Sequence, residues 1–240
     1  MRSTAVPAAV VVAMSVAASA QSALVYGGGT EITDRYNPGS GAIVYMNCFT
    51  LVSGPSQRQL DLESVAVGIR REATNGALTD VGVNIYAAEM TATFVDGFWQ
   101  FGRGENTLLY STPSLGGGTE SITQLVSTGP IPSVVLDLET GFVDGLGGWW
   151  IGLEFTGPGN GALSPNGWRI VGEPTTGGSI NGFGGFNING SGVFDAFLAF
   201  GSPPGSAPSR FLVNVEGNLV PTPGALALIG LAGLSSRRRR

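Results

Sequence analysis

Apolar and polar residues alternate in short runs along most of this chain. The runs at 81–87, 150–155 and 211–217 are the clearest, since apolar side chains recur there at every second position. Alternation with a period of two is the pattern of strands that bury one face. Between residues 21 and 219 no stretch keeps a 3.6-residue period, and the 39 glycines of the chain disfavour long helices. The sequence therefore predicts an all-β body of antiparallel strands.

Ten segments of this kind are predicted to be strands, with turn-rich stretches between them. They cover residues 42–52, 59–71, 80–88, 107–112, 120–127, 132–138, 149–156, 167–172, 193–200 and 210–217. A two-sheet antiparallel β-sandwich with a jelly-roll-like topology is the expected arrangement of so many short strands. The stretch 177–192, rich in glycine and asparagine, is predicted to be a surface loop.

One predicted strand, 59–71, changes its apolar parity midway. The apolar residues on the two sides of the change are Leu60 and Leu62 before it, and Val65, Val67 and Ile69 after it. A β-bulge at Glu63 and Ser64 would let both halves point into the same core, because it adds one residue to the strand. We therefore expect a bulge or a bend at that point.

Several kinds of chemistry are excluded by residue types that the chain lacks. It has no histidine and one cysteine, Cys48. Serine–histidine and cysteine–histidine nucleophile pairs and histidine metal ligands are therefore absent, and a single cysteine makes neither an internal disulfide nor a zinc site. Cys48 lies among apolar residues and is predicted to be a small buried side chain.

The charge of the body also restricts its partners. The chain has 17 acidic residues and 12 basic ones, all of them arginine, and Arg2 and the four arginines 237–240 lie near the two ends. The body is therefore acidic and has no basic patch. Nucleic acid is not an expected partner.

Carboxylates are the remaining route to catalysis. A glycosidase needs two acids about 5–10 Å apart, and Asp137, Glu139 and Glu154 are the candidates. Solvated acids on the outer faces of strands are much commoner, so we expect no enzyme, no catalytic residues and no cofactor. A structural calcium ion stays open. Its candidate ligands are Asp144, Asn187, Asn189 and Asp195, without a 12-residue calcium-loop pattern.

Exposed tryptophans would suit a sugar, because a sugar ring stacks on an aromatic face. Trp149 and Trp150 are adjacent, so in a strand they point to opposite faces. Parity with the apolar residues of 151–155 puts Trp149 in the core and Trp150 outside. Trp150 and Trp168 are the predicted glycan contacts, and Trp99 is a further exposed candidate.

The N-terminus has the features of a signal peptide. Residues 1–20 comprise a positive Arg2, a mostly apolar run and the small residues Ala18 and Ala20 around Ser19. Signal peptidase accepts only small side chains at these two positions before the cleaved bond. We predict cleavage before Gln21 and export of the mature chain.

The C-terminal residues 220–240 form a second unusual segment. Its parts are the motif Val220, Pro221, Thr222 and Pro223, an apolar run at 225–234, and the cluster Arg237, Arg238, Arg239 and Arg240. Thirteen residues from 224 to 236 would make a helix of about 20 Å, whereas a bilayer core needs about 30 Å. Terminal arginines stay on the cytoplasmic side. A short span with a strong stop signal suits a temporary halt in the membrane.

This order of parts resembles the PEP-CTERM sorting signal of Gram-negative-type bacteria, a tail also labelled the ice-binding protein C-terminal domain. Val220, Pro221 and Pro223 match its Val-Pro-Glu-Pro pattern, and Thr222 stands in the place of the glutamate. The resemblance implies transient insertion in the inner membrane, removal of the tail by an exosortase, and delivery to the cell surface or extracellular matrix.

The sequence thus predicts three parts: a signal peptide (1–20), a β-sandwich domain (21–219) and a sorting tail with a short hydrophobic helix (220–240). The expected function is that of an exported, non-catalytic surface or matrix protein, with signal peptidase and an exosortase-like enzyme as partners. The alternative is a carbohydrate-binding module for extracellular polysaccharide, or, less favoured, a carboxylate-dependent glycosidase.

Overall fold

Every regular element in the described part of the chain is a β-strand. The structure, a computed structural model, describes residues 22–27, 31–36, 43–53, 57–132, 134–141, 144–157, 167–171, 175–178, 183–187, 196–199 and 210–220. Within these ranges, the side chains of 31–36, 98–99, 167–171, 183–187, 196–199 and 210 are not described. The strands are β1 (Ala23–Tyr26), β2 (Glu31–Tyr36), β3 (Ile43–Leu51), β4 (Gln59–Arg71), β5 (Gly82–Val95), β6 (Phe98–Arg103), β7 (Thr107–Thr112), β8 (Ile122–Ser127), β9 (Val134–Asp137), β10 (Leu146–Thr156), β11 (Gly167–Val171), β12 (Phe183–Asn187), β13 (Ala196–Ala199), β14 (Arg210–Phe211) and β15 (Val213–Val220).

The strands form two antiparallel sheets. The first has the order β1-β15-β4-β11-β14, with β2 paired to β11 and both β8 and β9 paired to β4. Val67 of β4 pairs with Val213 of β15 and also with Val126 of β8, so these two strands flank β4 on opposite sides. The second sheet has the order β13-β12-β3-β10-β5-β6, and β7 also pairs with β5.

One apolar core, formed by described side chains of both sheets, lies between the two sheets. Leu60 and Val65 of the first sheet and Ile85 and Ile151 of the second belong to one contiguous cluster of buried side chains. Trp149 is fully buried in it and meets the ring of Tyr26 edge to face, with the ring centres 6.5 Å apart. The predicted all-β fold of two antiparallel sheets is confirmed, and the sheets are packed as a sandwich.

Cys48 also lies in this core, with no exposed surface. Its burial raises the pKa of the thiol well above the ordinary value, because the thiolate would lose its hydration. The prediction that Cys48 is a small buried side chain is confirmed.

The parity change in β4 is a β-bulge. Ser64 pairs with Glu216 of β15, but Leu62 pairs with the next residue, Gly217, so that Glu63 is the extra residue. The apolar side chains before and after the bulge are all buried in the core: Leu60, Leu62, Val65, Val67 and Ile69. The predicted bulge is confirmed, and it keeps a 13-residue strand facing one core.

Opposite the bulge, Gly217 is a position at which we expect even a methyl group to be harmful. A Cβ there would lie 2.5 Å from the carbonyl oxygen of Asp61, a backbone atom that cannot turn away. Gly217→Ala should therefore lower the free energy of unfolding by about 1–3 kcal/mol, as measured by denaturant titration. Gly178→Ala is the matched control, because a Cβ at Gly178 meets nothing within 4 Å. Equal effects of the two substitutions would contradict the proposed crowding.

All ten segments predicted to be strands overlap a strand, but four further strands, β1, β2, β6 and β12, were not predicted. The prediction that 177–192 is a loop is wrong, since β12 (Phe183–Asn187) lies within it. β12 pairs with β3 on one side and with β13 on the other. Pairing with two distant strands satisfies its backbone, and this outweighs the low strand preference of its glycines.

Candidate functional site

A hairpin of the chain itself covers part of the outer face of the second sheet. β5 continues beyond Glu89, where its pairing with β10 ends, and β6 returns beside this extension. The turn residues Asp96 and Gly97 both have positive φ angles, of 51° and 85°, as a tight two-residue hairpin turn requires. We call the segment from Met90 to Arg103 the covering hairpin.

Beneath the covering hairpin lies a second apolar cluster, the outer cluster. Its buried members are Tyr45, Phe49, Ala88, Met90 and Trp150. Phe101 of β6 packs against them together with Ile43 and Leu146. The outer face at this place is therefore a small core of its own.

Trp150 lies on the face that its parity predicted, opposite Trp149, but the prediction that it is exposed is wrong. It has no exposed surface, and its ring nitrogen Nε1 donates a hydrogen bond of 3.0 Å to the carbonyl oxygen of Gly102. Because the covering hairpin occupies the space where a sugar would stack, Trp150 offers no surface to a ligand in this structure. The Asp96-Gly97 dipeptide is the sequence signal that could have revealed the hairpin.

Arg103, at the base of the covering hairpin, closes the outer cluster over Tyr45. Its Cζ atom lies 4.8 Å from the centre of the Tyr45 ring. The Oδ1 atom of Asn106 accepts hydrogen bonds from the Tyr45 hydroxyl at 2.7 Å and from Nη1 of Arg103 at 2.9 Å. Nε and Nη2 of Arg103 are buried without a hydrogen-bond partner among the described residues. The ring face of Tyr45 attracts the guanidinium cation and so compensates part of the free energy that these missing hydrogen bonds cost.

Burial raises the pKa of Tyr45, and the nearby Arg103 and the hydrogen bond to Asn106 oppose this rise. The hydroxyl of Tyr45 therefore stays protonated at neutral pH and acts as a donor. The hydroxyl donates to the side chain of Asn106, so it holds the segment between β6 and β7.

Further along the outer face, three strands bring four polar side chains together, which we call the polar network. Its members are Asn84, Tyr86, Ser111 and Glu154, from β5, β7 and β10. One carboxylate oxygen of Glu154, Oε2, accepts hydrogen bonds from the Tyr86 hydroxyl at 2.8 Å and from the Asn84 amide at 2.9 Å. The hydroxyl of Ser111 donates to Oδ1 of Asn84 at 2.7 Å. An aromatic ring, an amide, a carboxylate and a hydroxyl therefore stand side by side on the surface.

The environment of Tyr86 raises its pKa to about 12, through burial first and the adjacent carboxylate of Glu154 second. We expect Glu154→Gln to lower this pKa towards the ordinary tyrosine value of about 10, because the substitution removes the negative charge. Ultraviolet titration, taken as the difference from Tyr86→Phe, measures the change. Glu120→Gln is the control at an exposed acid outside the network. An unchanged Tyr86 pKa in Glu154→Gln would contradict the coupling.

The same shift predicts how stability depends on pH. Because the pKa of Tyr86 is raised in the folded state, folding favours the protonated phenol. Its contribution is complete below about pH 10, the unfolded pKa, and is lost as the pH rises towards about 12. Tyr86→Phe should therefore reduce the loss of stability in this alkaline window.

The three acids considered for glycosidase chemistry are not gathered in one place. Glu139 forms a backbone bridge with Gly148 of β10, and its carboxylate accepts hydrogen bonds from the amides of Gly141 and Ala92. Asp137, two residues earlier, accepts one from Gln59. Glu154 lies six residues beyond Gly148 on the same strand, or roughly 20 Å along it. The pair Asp137 and Glu139 is thus remote from Glu154.

Among the described residues, no group of three or more cysteine, aspartate or glutamate side chains is placed to hold a metal ion. Of the calcium candidates, Asp144 is exposed. Asn187 ends β12, where side chains are not described, and Asn189 and Asp195 lie outside the described residues. The structural calcium ion therefore stays a prediction.

For the other predicted site residues, either the side chain or the whole residue lies outside the described part of the chain, apart from Val220 at the end of β15. Trp168 lies in β11 and pairs with Ile69 of β4, but its side chain, like that of Trp99, is not described. Ala18, Ala20 and Gln21 precede the described residues, and the tail from Pro221 onward follows them. In the described part of the chain no helix has the length and hydropathy needed to cross a membrane.

Comparisons of the chain with protein-family models, with curated proteins and with solved structures find no match.

Proposed function

We propose that the chain is an exported, non-catalytic protein of the cell surface or extracellular matrix, sorted by a PEP-CTERM-like tail. The observation that carries the proposal is the order of motif, apolar run and arginine cluster in residues 220–240. β15 ends at Val220, where it pairs with Gln59, and Pro221 follows at once. Val220, the first residue of the proposed motif, is thus the last residue of β15, and the residues from Pro221 onward follow every described strand.

The strand order supports a jelly-roll topology for this body. β6 and β7 pair with β5 in succession, and β8 and β9 pair with β4 in succession, so each couple acts as one strand. We number the main strands from one to eight in chain order: β1, β3, β4, β5, β6/β7, β8/β9, β10 and β15. In these numbers the first sheet has the order 1-8-3-6 and the second sheet has the order 2-7-4-5. This is the order that two Greek keys produce in a jelly roll. Lectin domains are among the proteins with this topology.

Sorting is tested by following the C-terminus in a bacterial host that contains an exosortase. Mass spectrometry of the surface fraction should recover the chain without its tail. Replacing Pro221 and Pro223 with alanine should leave the tail attached, whereas Thr222→Glu, which restores the glutamate of the pattern, should be processed at least as completely as the wild type. Arg58→Gln, an exposed arginine of the body, is the control. A wild-type chain and a Thr222→Glu chain that both keep their tails in the inner membrane would contradict the proposal.

The second candidate function is binding of an extracellular polysaccharide, and the polar network is the observation that favours it. Tyr86 and Glu154 are only half-buried, and Ser111 is exposed. Sugars are held by an aromatic face with polar groups beside it for orientation. Since Trp150 is covered, the ring of Tyr86 takes its place as the candidate stacking surface.

This candidate is tested on a glycan array with the mature protein. A glycan bound by the wild type should be bound at least ten-fold more weakly by Tyr86→Ala and Glu154→Ala. Leu51→Ala, at a side chain of β3 that is 73% exposed, should bind as the wild type does. An array without any bound glycan, or binding that survives both substitutions, would remove this candidate.

A further inference from the structure

Every side-chain donor of the polar network has an acceptor inside the network. The Tyr86 hydroxyl donates to Oε2 of Glu154 at 2.8 Å. The side-chain amide of Asn84 donates to the same oxygen at 2.9 Å and to the hydroxyl oxygen of Tyr86 at 3.3 Å. The hydroxyl of Ser111 donates to Oδ1 of Asn84. An amide group has two donor hydrogens and a hydroxyl has one, so the network keeps no donor hydrogen for a ligand.

The groups that the network offers to a ligand are therefore acceptors. The hydrogen bonds that Glu154 receives from described residues both reach Oε2, so its other carboxylate oxygen, Oε1, is open to a donor. The hydroxyl oxygens of Tyr86 and Ser111 can each accept a further hydrogen bond. Tyr86 and Glu154 are half-buried and Ser111 is exposed. A ligand that binds to the network must bring the donors itself.

The network also carries one negative charge, that of Glu154, which forms no ion pair with any described arginine. The chain has no lysine. Arg103 lies over the ring of Tyr45 and donates to Asn106 and to the carbonyl oxygen of Gly104, so its described contacts lie outside the network. A donor that carries a positive charge fits the network better than a neutral donor, because opposite charges attract.

An apolar surface adjoins these acceptors. Leu108 of β7 pairs with Tyr86 of β5, and its side chain is 53% exposed. Paired residues of neighbouring strands have their side chains on the same face, so the leucine lies beside the tyrosine ring. A sugar ring can pack its C–H groups on such a surface while its polar groups meet the acceptors beside it. A lysine side chain would bring only one donor group, so several acceptors beside an apolar surface favour a sugar over a basic peptide.

We propose that the polar network and Leu108 bind an amino-sugar residue of an extracellular polysaccharide. The protonated amine of the sugar meets Oε1 of Glu154, and the sugar ring packs against Tyr86 and Leu108. This inference rests on the second candidate function, polysaccharide binding, and names the class of glycan. Its consequence is selectivity. A glycan with carboxylate or sulfate groups brings acceptors and negative charge to a site of the same kind, and is rejected.

The experiment compares hexasaccharides by calorimetry with the exported protein. The ligands are a β-1,4-linked glucosamine hexamer, its N-acetylated form and a hexamer of galacturonic acid. The measurements are made at about pH 5.5, where such amines are protonated, and at about 0.15 M salt, which screens distant charges of the acidic body. The wild type should bind the glucosamine hexamer about five-fold more tightly than the N-acetylated form. The galacturonic acid hexamer should bind more weakly than either.

Three variants assign the binding to this site. Glu154→Gln should abolish the preference for the amine, because glutamine keeps an oxygen for Tyr86 and Asn84 but has no charge. Circular dichroism checks that this variant is folded. Leu108→Ala, at an exposed side chain, should weaken the binding of both glucosamine forms by a similar factor and leave their ratio unchanged. Glu120→Gln, an exposed acid outside the network, should bind as the wild type does.

The outcomes separate this inference from the second candidate function. A wild type that binds both glucosamine forms equally overturns the amine contact alone and leaves polysaccharide binding intact, whereas a wild type that binds no glycan overturns both. A preference for the amine that survives in Glu154→Gln, or binding that Leu108→Ala does not change, overturns the proposed site. A lysine hexapeptide that binds more tightly than the glucosamine hexamer, and does so through Glu154, overturns the sugar in favour of a basic peptide.

Discussion

Replacing Trp150 with alanine is expected to lower the free energy of unfolding by about 3–5 kcal/mol. The side chain is fully buried in the outer cluster, so its removal leaves a cavity between β10 and the covering hairpin. The carbonyl oxygen of Gly102 also loses the donor Nε1. Both effects act on a face of the sheet that an alternating strand would normally leave to water.

Denaturant titration of the variants measures these effects. Trp150→Phe keeps one aromatic ring but loses the hydrogen bond and part of the buried volume, so we expect a loss of about 1–3 kcal/mol, smaller than that of Trp150→Ala. Leu51→Ala, at a side chain that is 73% exposed, should change the free energy of unfolding by no more than about 0.5 kcal/mol. If Trp150→Ala cost as little as Leu51→Ala, the covering hairpin would not be packed in solution as it is in the structure.

The second large effect is expected at Arg71, the last residue of β4. Its side chain has no exposed surface, and its guanidinium donates to three carbonyl groups. Nη1 donates to Leu115 at 3.1 Å, and Nη2 donates to Thr79 at 2.7 Å and to Gly116. Burial lowers the pKa of this arginine, and Asp80 opposes the change. One buried cation thus joins the end of β4 to two loops, the one before β5 and the one after β7.

We expect Arg71→Met to lower the free energy of unfolding by about 3 kcal/mol or more, since three carbonyl groups lose the buried guanidinium as their donor while the volume of the side chain is largely kept. The neighbouring Arg70 provides the matched control. It is partly exposed and forms an ion pair of 2.9 Å with Glu72, so Arg70→Met should cost no more than about 1 kcal/mol. Similar losses at the two positions would show that the loops do not depend on the buried guanidinium.

The alternation of buried and exposed residues in β4 predicts the burial of Arg71 but not its partners. After the bulge, every second residue of β4 faces the core: Val65, Val67 and Ile69. Arg71 is the next residue of that series, so its burial could have been predicted from the sequence. Its three acceptors could not, because they lie 8, 44 and 45 positions away in loops without a repeating pattern.

In the candidate site too, the sequence predicted the direction of the side chains but not their contacts. The outward direction of Trp150 followed from its neighbours in β10, but its burial depended on β6, which pairs with the far end of β5. Tyr86 and Glu154 are 68 positions apart and meet only because β5 and β10 are neighbours in the sheet. The sequence therefore indicated on which face these side chains lie and left open what they contact there.

The sequence by itself determined that the body is built of strands, which faces of the strands are apolar and where β4 must bulge. These features are local, because alternation with a period of two acts on residues next to one another. The tertiary structure alone decided that one outer face is covered, that Glu154 meets Tyr86, and that Arg71 reaches carbonyl groups in two loops. Strand order brings these groups together, and it depends on pairings between distant segments, to which no short pattern in the sequence corresponds.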